Sequence, residues 1–271
     1  MNFPAQLAEE KKSFERDGYV VIKGLLRPAE AILLKRAIEN CEPMQNLARQ
    51  AQERWAKGRR AAFETIFVWN DVTGEDIFCK ATRRVALFTR LKAFFEDDVY
   101  LYHNKVVLKY PGIEGFRYHQ DYFYWYDMGN IYPDMAAAQI ALDASTTQNG
   151  CLRVIAGSHK LGRLNHNTLA QSSDSGVDEE RLREIVKRFI VVEVELAVGD
   201  AVLFHANLLH GSADNTSGEP RLTLLGCYNT KHNSPYRTAC GHPYFSSQRP
   251  MSAEIVEQDL ALMPDYNRMY E

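Results

Sequence analysis

A histidine and an aspartate one residue apart, followed downstream by two histidines and an arginine, are the residues of this chain best suited to chemistry. His119 and Asp121 stand in the segment YHQD, and His205, His210 and Arg221 follow later in the chain. In an extended strand, side chains at positions i and i+2 leave the same face, so His119 and Asp121 could reach one cation. Taken alone, this pair also fits an ordinary surface contact between the two side chains.

The downstream residues strengthen the prediction of a metal site. One carboxylate and two imidazoles on one face of a metal, with the remaining positions open, form the ligand set of non-haem Fe(II) oxygenases. Either His205 or His210 could supply the second imidazole. Arg221 is suited to binding an organic carboxylate, because a guanidinium donates two parallel hydrogen bonds and keeps its charge. These residue types predict an iron centre with an anion-binding arginine.

The elements that must position these residues change in character near residue 99. Before it, apolar periodicity and Gly or Pro boundaries predict helices over 4–18, 28–40 and 82–98, with short strands at 19–26 and 63–69. After it, short β-rich segments alternate with turn residues, which favours a sandwich or barrel. No linker interrupts the chain, so we predict a single domain over 1–271. The polar segment 170–180 is expected to be a mobile surface loop.

Composition limits the class of protein. The chain has 271 residues, 45% of them hydrophobic, and a net charge of −3, so bulk electrostatics give no reason to expect a nucleic-acid partner. The N-terminal segment lacks the apolar core of a signal peptide, and no apolar run approaches the ~18 residues of a membrane helix. Five cysteines without metal-type spacing are expected to be free thiols in a reducing cytoplasm.

Four segments, in this order, resemble the phytanoyl-CoA dioxygenase family of Fe(II)- and 2-oxoglutarate-dependent enzymes. They are FERDGYVVIKGLL, YHQD, QNGCLRVIAGSHKLG and HGSADNTSGEPR, and the resemblance covers most of the chain. It implies a mainly β fold with flanking helices, namely a double-stranded β-helix (a cupin-like jelly roll) with helices packed on one side. It also implies Fe(II), 2-oxoglutarate and O2 as the participants in the reaction.

The resemblance implies one assignment of the metal ligands. The interval of eleven residues between His210 and Arg221 matches the corresponding interval in the family. The implied ligands are therefore His119, Asp121 and His210, and His205 is expected to be structural.

The resemblance also implies the cosubstrate site. Arg221 is expected to bind the distal carboxylate of 2-oxoglutarate, with Ser212 beside it. Gln139 and Lys105 fall at positions that contact the cosubstrate in the family, although the residue types differ there.

An aromatic run follows Asp121 directly, in the segment YFYWY. In the resembling family this segment borders the substrate, so Tyr122, Tyr124 and Trp125 are expected to line the substrate side, where rings exclude water and offer polar groups for orientation. The alternative is that these rings fill the interior of the fold.

The implied activity is hydroxylation of an unactivated C–H bond in a small organic metabolite or a natural-product intermediate. Desaturation, epoxidation or rearrangement by the same oxidant are alternatives, and a non-enzymatic jelly-roll binding protein is a remote one. Halogenation is disfavoured because Asp121 occupies the carboxylate position that halogenases leave empty. Neither the substrate nor the oligomeric state follows from the sequence.

Overall fold

The chain places most of its helices first and most of its strands afterwards. A computed structural model describes residues 3–56, 64–69, 76–168 and 175–237. The elements in chain order are α1 (Phe3–Asp17), β1 (Tyr19–Ile22), α2 (Pro28–Asn40), α3 (Glu42–Ala56), β2 (Glu64–Trp69), α4 (Ile77–Thr82), α5 (Val85–Phe95), β3 (Val99–Lys109), α6 (Asp121–Asp127), β4 (Met135–Ala141), β5 (Leu152–Ile155), β6 (His166–Thr168), β7 (Ser175–Val177), α7 (Glu179–Val186), β8 (Val191–Val194), β9 (Ala201–His205), β10 (His210–Ser212) and β11 (Arg221–Thr230).

Local signals explain where the N-terminal helices begin and end. Helix α1 ends before Gly18, which has a φ of 82° that a residue with a side chain rarely adopts. Helix α2 begins with Pro28 in its first turn, and the Glu30 side chain accepts a hydrogen bond of 2.7 Å from the backbone N–H of Arg27. Both predicted helices are confirmed.

Most of the described strands belong to two antiparallel sheets. The larger sheet has the strand order β1-β9-β4-β11-β3-β2, and the smaller one has the order β10-β5-β8. Strands β6 and β7 form a separate pair. The mainly β fold with flanking helices is confirmed, and two antiparallel sheets packed face to face are the arrangement of a jelly roll.

The larger sheet is buried on both faces, and its two faces have different partners. On one face, Ala138, Leu203 and Leu224 pack in a core with residues of α1, α2, α4 and α5. On the other face, Val202 and Phe204 pack with Val154 of the smaller sheet. Side chains alternate between these faces along each strand. A polar residue on the inner face is therefore enclosed between the sheets.

Two expectations about local structure need correction. The extended strand on which His119 and Asp121 were expected to share one face ends at Gln120, because Asp121 begins the short helix α6. The segment 170–180 is not a surface loop where the structure describes it: Ser175–Val177 is a buried strand, and α7 begins at Glu179. The rest of that segment, 170–174, lies outside the described residues.

The cysteines agree with the expectation of free thiols. Cys41, Cys79, Cys151 and Cys227 are free and buried, and Cys240 lies outside the described residues. Within the part of the chain that the structure describes, none of the helices is both long enough and apolar enough to cross a membrane.

Candidate active site

His119, Asp121 and His210 meet where the smaller sheet approaches the start of α6. One ligand atom from each lies within 4.8 Å of those from the other two, so the three side chains could hold one metal ion. The Nε2 atoms of His119 and His210 lie 3.6 Å and 3.8 Å from Oδ1 of Asp121. Among the described residues, this is the one group of three such side chains that meets.

The backbone holds the two histidines side by side. The N–H of His119 donates to the carbonyl of His210 at 2.9 Å, and the N–H of His210 donates back at 3.0 Å. Each imidazole Nδ1 also lies 2.9 Å from a backbone carbonyl, that of Arg117 for His119 and that of Leu208 for His210. Such a bond requires a proton on Nδ1, which leaves the Nε2 lone pair free for a metal.

Gln120 lies between two of the predicted ligands and forms hydrogen bonds with the neighbouring loops. Its side chain is fully buried. Its amide donates to the carbonyls of Gly162 and Asn207 at 2.8 Å, and its oxygen accepts from the N–H of Leu164 at 2.7 Å. Its backbone N–H donates to Nε2 of His166 at 2.9 Å. The side chain of Gln120 therefore forms its hydrogen bonds with other residues of the protein.

The protonation states suit metal binding. Burial, and then the charge of His119, lower the pKa of His210 to about 4, so this imidazole is neutral at physiological pH. Burial would raise the pKa of Asp121, but interactions with His210 and His119 outweigh it and hold this pKa below its usual range. A neutral imidazole and an ionised carboxylate are the forms that coordinate a cation.

The inner face of the larger sheet carries the predicted cosubstrate residues. Strand pairing sets Lys105 opposite Leu225 and Leu225 opposite Gln139, in one row across β3, β11 and β4. Arg221 lies four residues before Leu225 on β11, and so further along the same face.

One cavity brings these residues together with the metal ligands. Its volume is about 70 Å³. Its lining includes His119, Asp121, His210, Lys105, Gln139, Ser212 and Arg221. All seven residues predicted for metal and cosubstrate thus share one cavity.

Two polar groups in this cavity have no partner within the described residues. Nε of Arg221 and Nε2 of Gln139 are buried and form no hydrogen bond there. Arg221 is 5% exposed, its terminal nitrogen donates to the carbonyl of Gly150, and burial lowers its pKa to about 10, so it stays charged. Because a buried donor without a partner is costly, these groups fit an anionic ligand such as 2-oxoglutarate.

The aromatic run after Asp121 lies mostly outside this cavity. Tyr122 and Trp125 are each 4% exposed, belong to the core between the sheets, and are not among the described residues that line the cavity. The Tyr122 hydroxyl donates to the carbonyl of Ile131. Tyr124 is half-buried, with its ring 6.2 Å from that of His119 and its hydroxyl 2.7 Å from Oγ of Ser175. The burial of Tyr122 and Trp125 favours the alternative that they fill the interior.

His205 is separate from the metal ligands. Its ring lies 5.9 Å from those of Phe14 and Phe95 and 5.4 Å from that of His159. Its Nδ1 accepts a hydrogen bond of 3.0 Å from the N–H of Asn207. This environment agrees with the structural role expected for His205.

The sequence patterns did not indicate Phe116 and Lys109, which both lie at the site. The ring of Phe116 lies 4.3 Å from that of His119 and lines the cavity. Lys109 is fully buried on β3 and donates to Ser212. Alternation along β3 could have indicated Lys109, since it lies two and four residues from Val107 and Lys105, which line the cavity. No signal in the sequence pointed to Phe116.

Comparison with known proteins gives consistent relatives. An ectoine dioxygenase of Streptomyces coelicolor is 27% identical, over 89% of this chain and 85% of that protein. A 2-aminoethylphosphonate dioxygenase of an uncultured bacterium is 28% identical, over 92% of this chain and 91% of that protein. The crystal structure of EctD from S. alaskensis in its apoform superimposes with a TM-score of 0.72 at 24% identity, over 94% of this chain and 88% of that one.

The family comparison covers the whole of the candidate site. The model of the family described as phytanoyl-CoA dioxygenase matches residues 14–223, from helix α1 to the beginning of β11. That range contains all the predicted metal and cosubstrate residues, and solved structures of similar fold were determined with Fe and with 2-oxoglutarate. The chain belongs to the phytanoyl-CoA dioxygenase family and is a non-haem iron dioxygenase that depends on 2-oxoglutarate.

Proposed function

We propose that this enzyme hydroxylates an unactivated C–H bond of a small organic metabolite or natural-product intermediate. The observation that carries the proposal is one cavity that contains both the three candidate metal ligands and the buried, unpartnered Nε of Arg221. Free, buried cysteines support a reducing compartment, and we propose the cytoplasm.

Different residues of the site would bind the metal and the cosubstrate. His119, Asp121 and His210 would hold Fe(II) on one face, and Arg221 would bind the distal carboxylate of 2-oxoglutarate with Ser212 beside it. When both are bound, oxidative decarboxylation of the cosubstrate by O2 supplies the oxidant that takes a hydrogen atom from the substrate and returns a hydroxyl group.

The remaining lining residues would orient the cosubstrate and exclude water. Gln139 and Lys105 lie in the row of the sheet that shares the cavity with the metal ligands, and we assign both to the cosubstrate. Phe116, Leu152 and Phe204 supply apolar lining, which limits water near the reacting C–H bond. Tyr124, half-buried near His119, remains the aromatic residue that we propose for the substrate side.

The Arg221→Ala variant tests the proposal. Removing one partner of a buried, hydrogen-bonded charge pair costs about 3–5 kcal/mol, so the apparent 2-oxoglutarate requirement should rise about 100-fold or more. Arg221→Lys should recover part of the loss, because an ammonium is charged but lacks the planar fork. The measurement is succinate formation from 2-oxoglutarate by the Fe(II)-loaded enzyme.

A matched control separates this effect from general loss of charge. Arg188 is an exposed arginine paired with Glu184 on α7, and Arg188→Ala should saturate with 2-oxoglutarate like the wild type. Wild-type saturation in Arg221→Ala would refute the cosubstrate assignment.

A further inference from the structure

Lys109 is a fully buried lysine at the end of β3 nearest to Arg221. Strand pairing sets it directly opposite Arg221 on β11. Its ammonium donates to Oγ of Ser212 at 2.8 Å and to the backbone carbonyl of Ala213. Lys109 therefore joins the two residues that would bind the distal carboxylate of the cosubstrate.

The hydroxyl of Ser212 has its accepting positions occupied. Oγ accepts one hydrogen bond from the ammonium of Lys109 and a second, of 3.0 Å, from the backbone N–H of Phe116. A serine hydroxyl has two lone pairs and one proton, so this arrangement leaves only the proton to be used. Ser212 lines the same cavity as Arg221, so this proton is available to an acceptor bound in that cavity.

The positive charges of Lys109 and Arg221 also favour the binding of an anion. Within the described residues, neither Lys109 nor Arg221 forms an ion pair, although both are buried. Two buried cations that face each other across one strand pair are unfavourable unless a negative charge compensates them. A carboxylate bound between Arg221 and Ser212 would supply that charge.

We propose that Lys109 is a positioning residue for cosubstrate binding: it holds Ser212 so that the hydroxyl proton and the Arg221 guanidinium meet the same carboxylate of 2-oxoglutarate. This inference rests on the proposed function, because it takes Arg221 as the cosubstrate-binding arginine. A purely structural lysine, which only ties β3 to the segment after β10, would affect stability and leave cosubstrate affinity unchanged.

The test compares Lys109→Met, Ser212→Ala and the double variant, each loaded with Fe(II) under anaerobic conditions and titrated with 2-oxoglutarate by calorimetry. Each single variant should bind about tenfold more weakly, the usual effect of losing a hydrogen bond to a charged group. Because Lys109 acts through Ser212, removing both residues should cost little more affinity than removing one. The double variant should bind 2-oxoglutarate at most about twofold more weakly than whichever single variant has the lower affinity.

Several results would overturn the proposal. One is wild-type affinity in either single variant, and another is a double variant whose loss equals the product of the two single losses. Lys23→Met is the control, since Lys23 is an exposed lysine paired with Asp200 and should bind the cosubstrate normally. If Arg221→Ala also bound 2-oxoglutarate normally, the proposed function would fail as well. Weak binding in Arg221→Ala alone would confine the failure to Lys109 and Ser212.

A measurement on the wild type covers the case in which Lys109→Met does not fold. Burial, and then the charge of Arg221, lower the pKa of Lys109 to about 7, while Asp214 and Cys151 raise it and Arg153 lowers it further. An anion bound beside Arg221 and Ser212 would raise this pKa, so binding of 2-oxoglutarate at pH 8 should take up a fraction of a proton. Calorimetry in two buffers of different ionisation enthalpy measures that uptake, and its absence would contradict the proposal.

Discussion

At the scale of single residues, the position of a histidine in the fold, and not its residue type, decides whether it can bind the metal. His210 is held by β10 against His119, and its ring lies 4.2 Å from the His119 ring. His205, five residues earlier, packs instead toward Phe14 on the helical side of the larger sheet. The two imidazoles should therefore respond differently to removal.

His210→Ala should abolish iron binding, and His205→Ala should retain one Fe(II) per chain while lowering the melting temperature. The first variant removes a ligand, whereas the second removes a partly buried ring and the acceptor for the Asn207 N–H. Metal content after anaerobic reconstitution, measured together with thermal unfolding, tests both. Retention of iron in His210→Ala and its loss in His205→Ala would reverse the ligand assignment.

The sequence indicated these residues to different degrees. Residue types and spacing suggested His119, Asp121 and Arg221 as candidates, and the choice of His210 over His205 rested on the resemblance to the family. Lys109 could not be assigned in the same way, because a lysine in a strand is usually exposed and only the fold shows that this one is buried opposite Arg221.

At the scale of elements, α6 shows why the role of an aromatic run is hard to predict. An aromatic run fits the interior of the fold as well as the mouth of a site. The sequence alone does not show that a helix begins at Asp121. In α6, Tyr122 and Trp125 are buried, whereas Tyr126 is exposed although its ring lies 5.9 Å from that of Tyr122. Rings that are neighbours on one short helix therefore lie in different environments.

Trp125→Ala should destabilise the protein by about 3–5 kcal/mol through the cavity it leaves, with 2-oxoglutarate affinity unchanged. The ring packs against Tyr102 and His103, at centroid distances of 6.3 Å and 6.2 Å. Chemical denaturation measures the loss, and Tyr126→Ala on the same helix should cost no more than about 1 kcal/mol, because that ring is exposed and contacts Arg163. Equal stability of the two variants would contradict a core role for Trp125.

At the scale of the whole molecule, the helices and the two sheets bury imidazoles that must stay neutral. The β-rich character of these segments was readable from the sequence, but the pairing of distant strands was not, because it depends on contacts between segments far apart in the chain. This pairing brings β1 beside β9 and places His205 close to His159 and α1. The resulting burial makes stability depend on pH.

The metal-free protein should lose stability as the pH falls below about 6.5. Burial, followed by the charge of His159, lowers the folded-state pKa of His205 to about 3, whereas the unfolded chain titrates near 6.5. Between these values the unfolded state binds a proton that the folded state does not, so the contribution of His205 is complete above pH 6.5 and is lost toward pH 3. His205→Gln should reduce the slope of unfolding free energy against pH by about 1.4 kcal/mol per pH unit between pH 6 and 4.

His232 provides a control of opposite sign for that measurement. Its hydrogen bond to Asp97, and its further bond to Asp134, raise its pKa, so its contribution is complete below pH 6.5 and is lost as the pH rises through the raised value. His232→Gln should therefore weaken the protein more at pH 6 than at pH 8, while keeping the acid-side slope from pH 6 to 4. Denaturant unfolding with a chelator present, repeated across this pH range, measures both variants. An unchanged slope in His205→Gln would show that burial of this imidazole does not control the acid sensitivity, and that the enclosed face of β9 tolerates its charge.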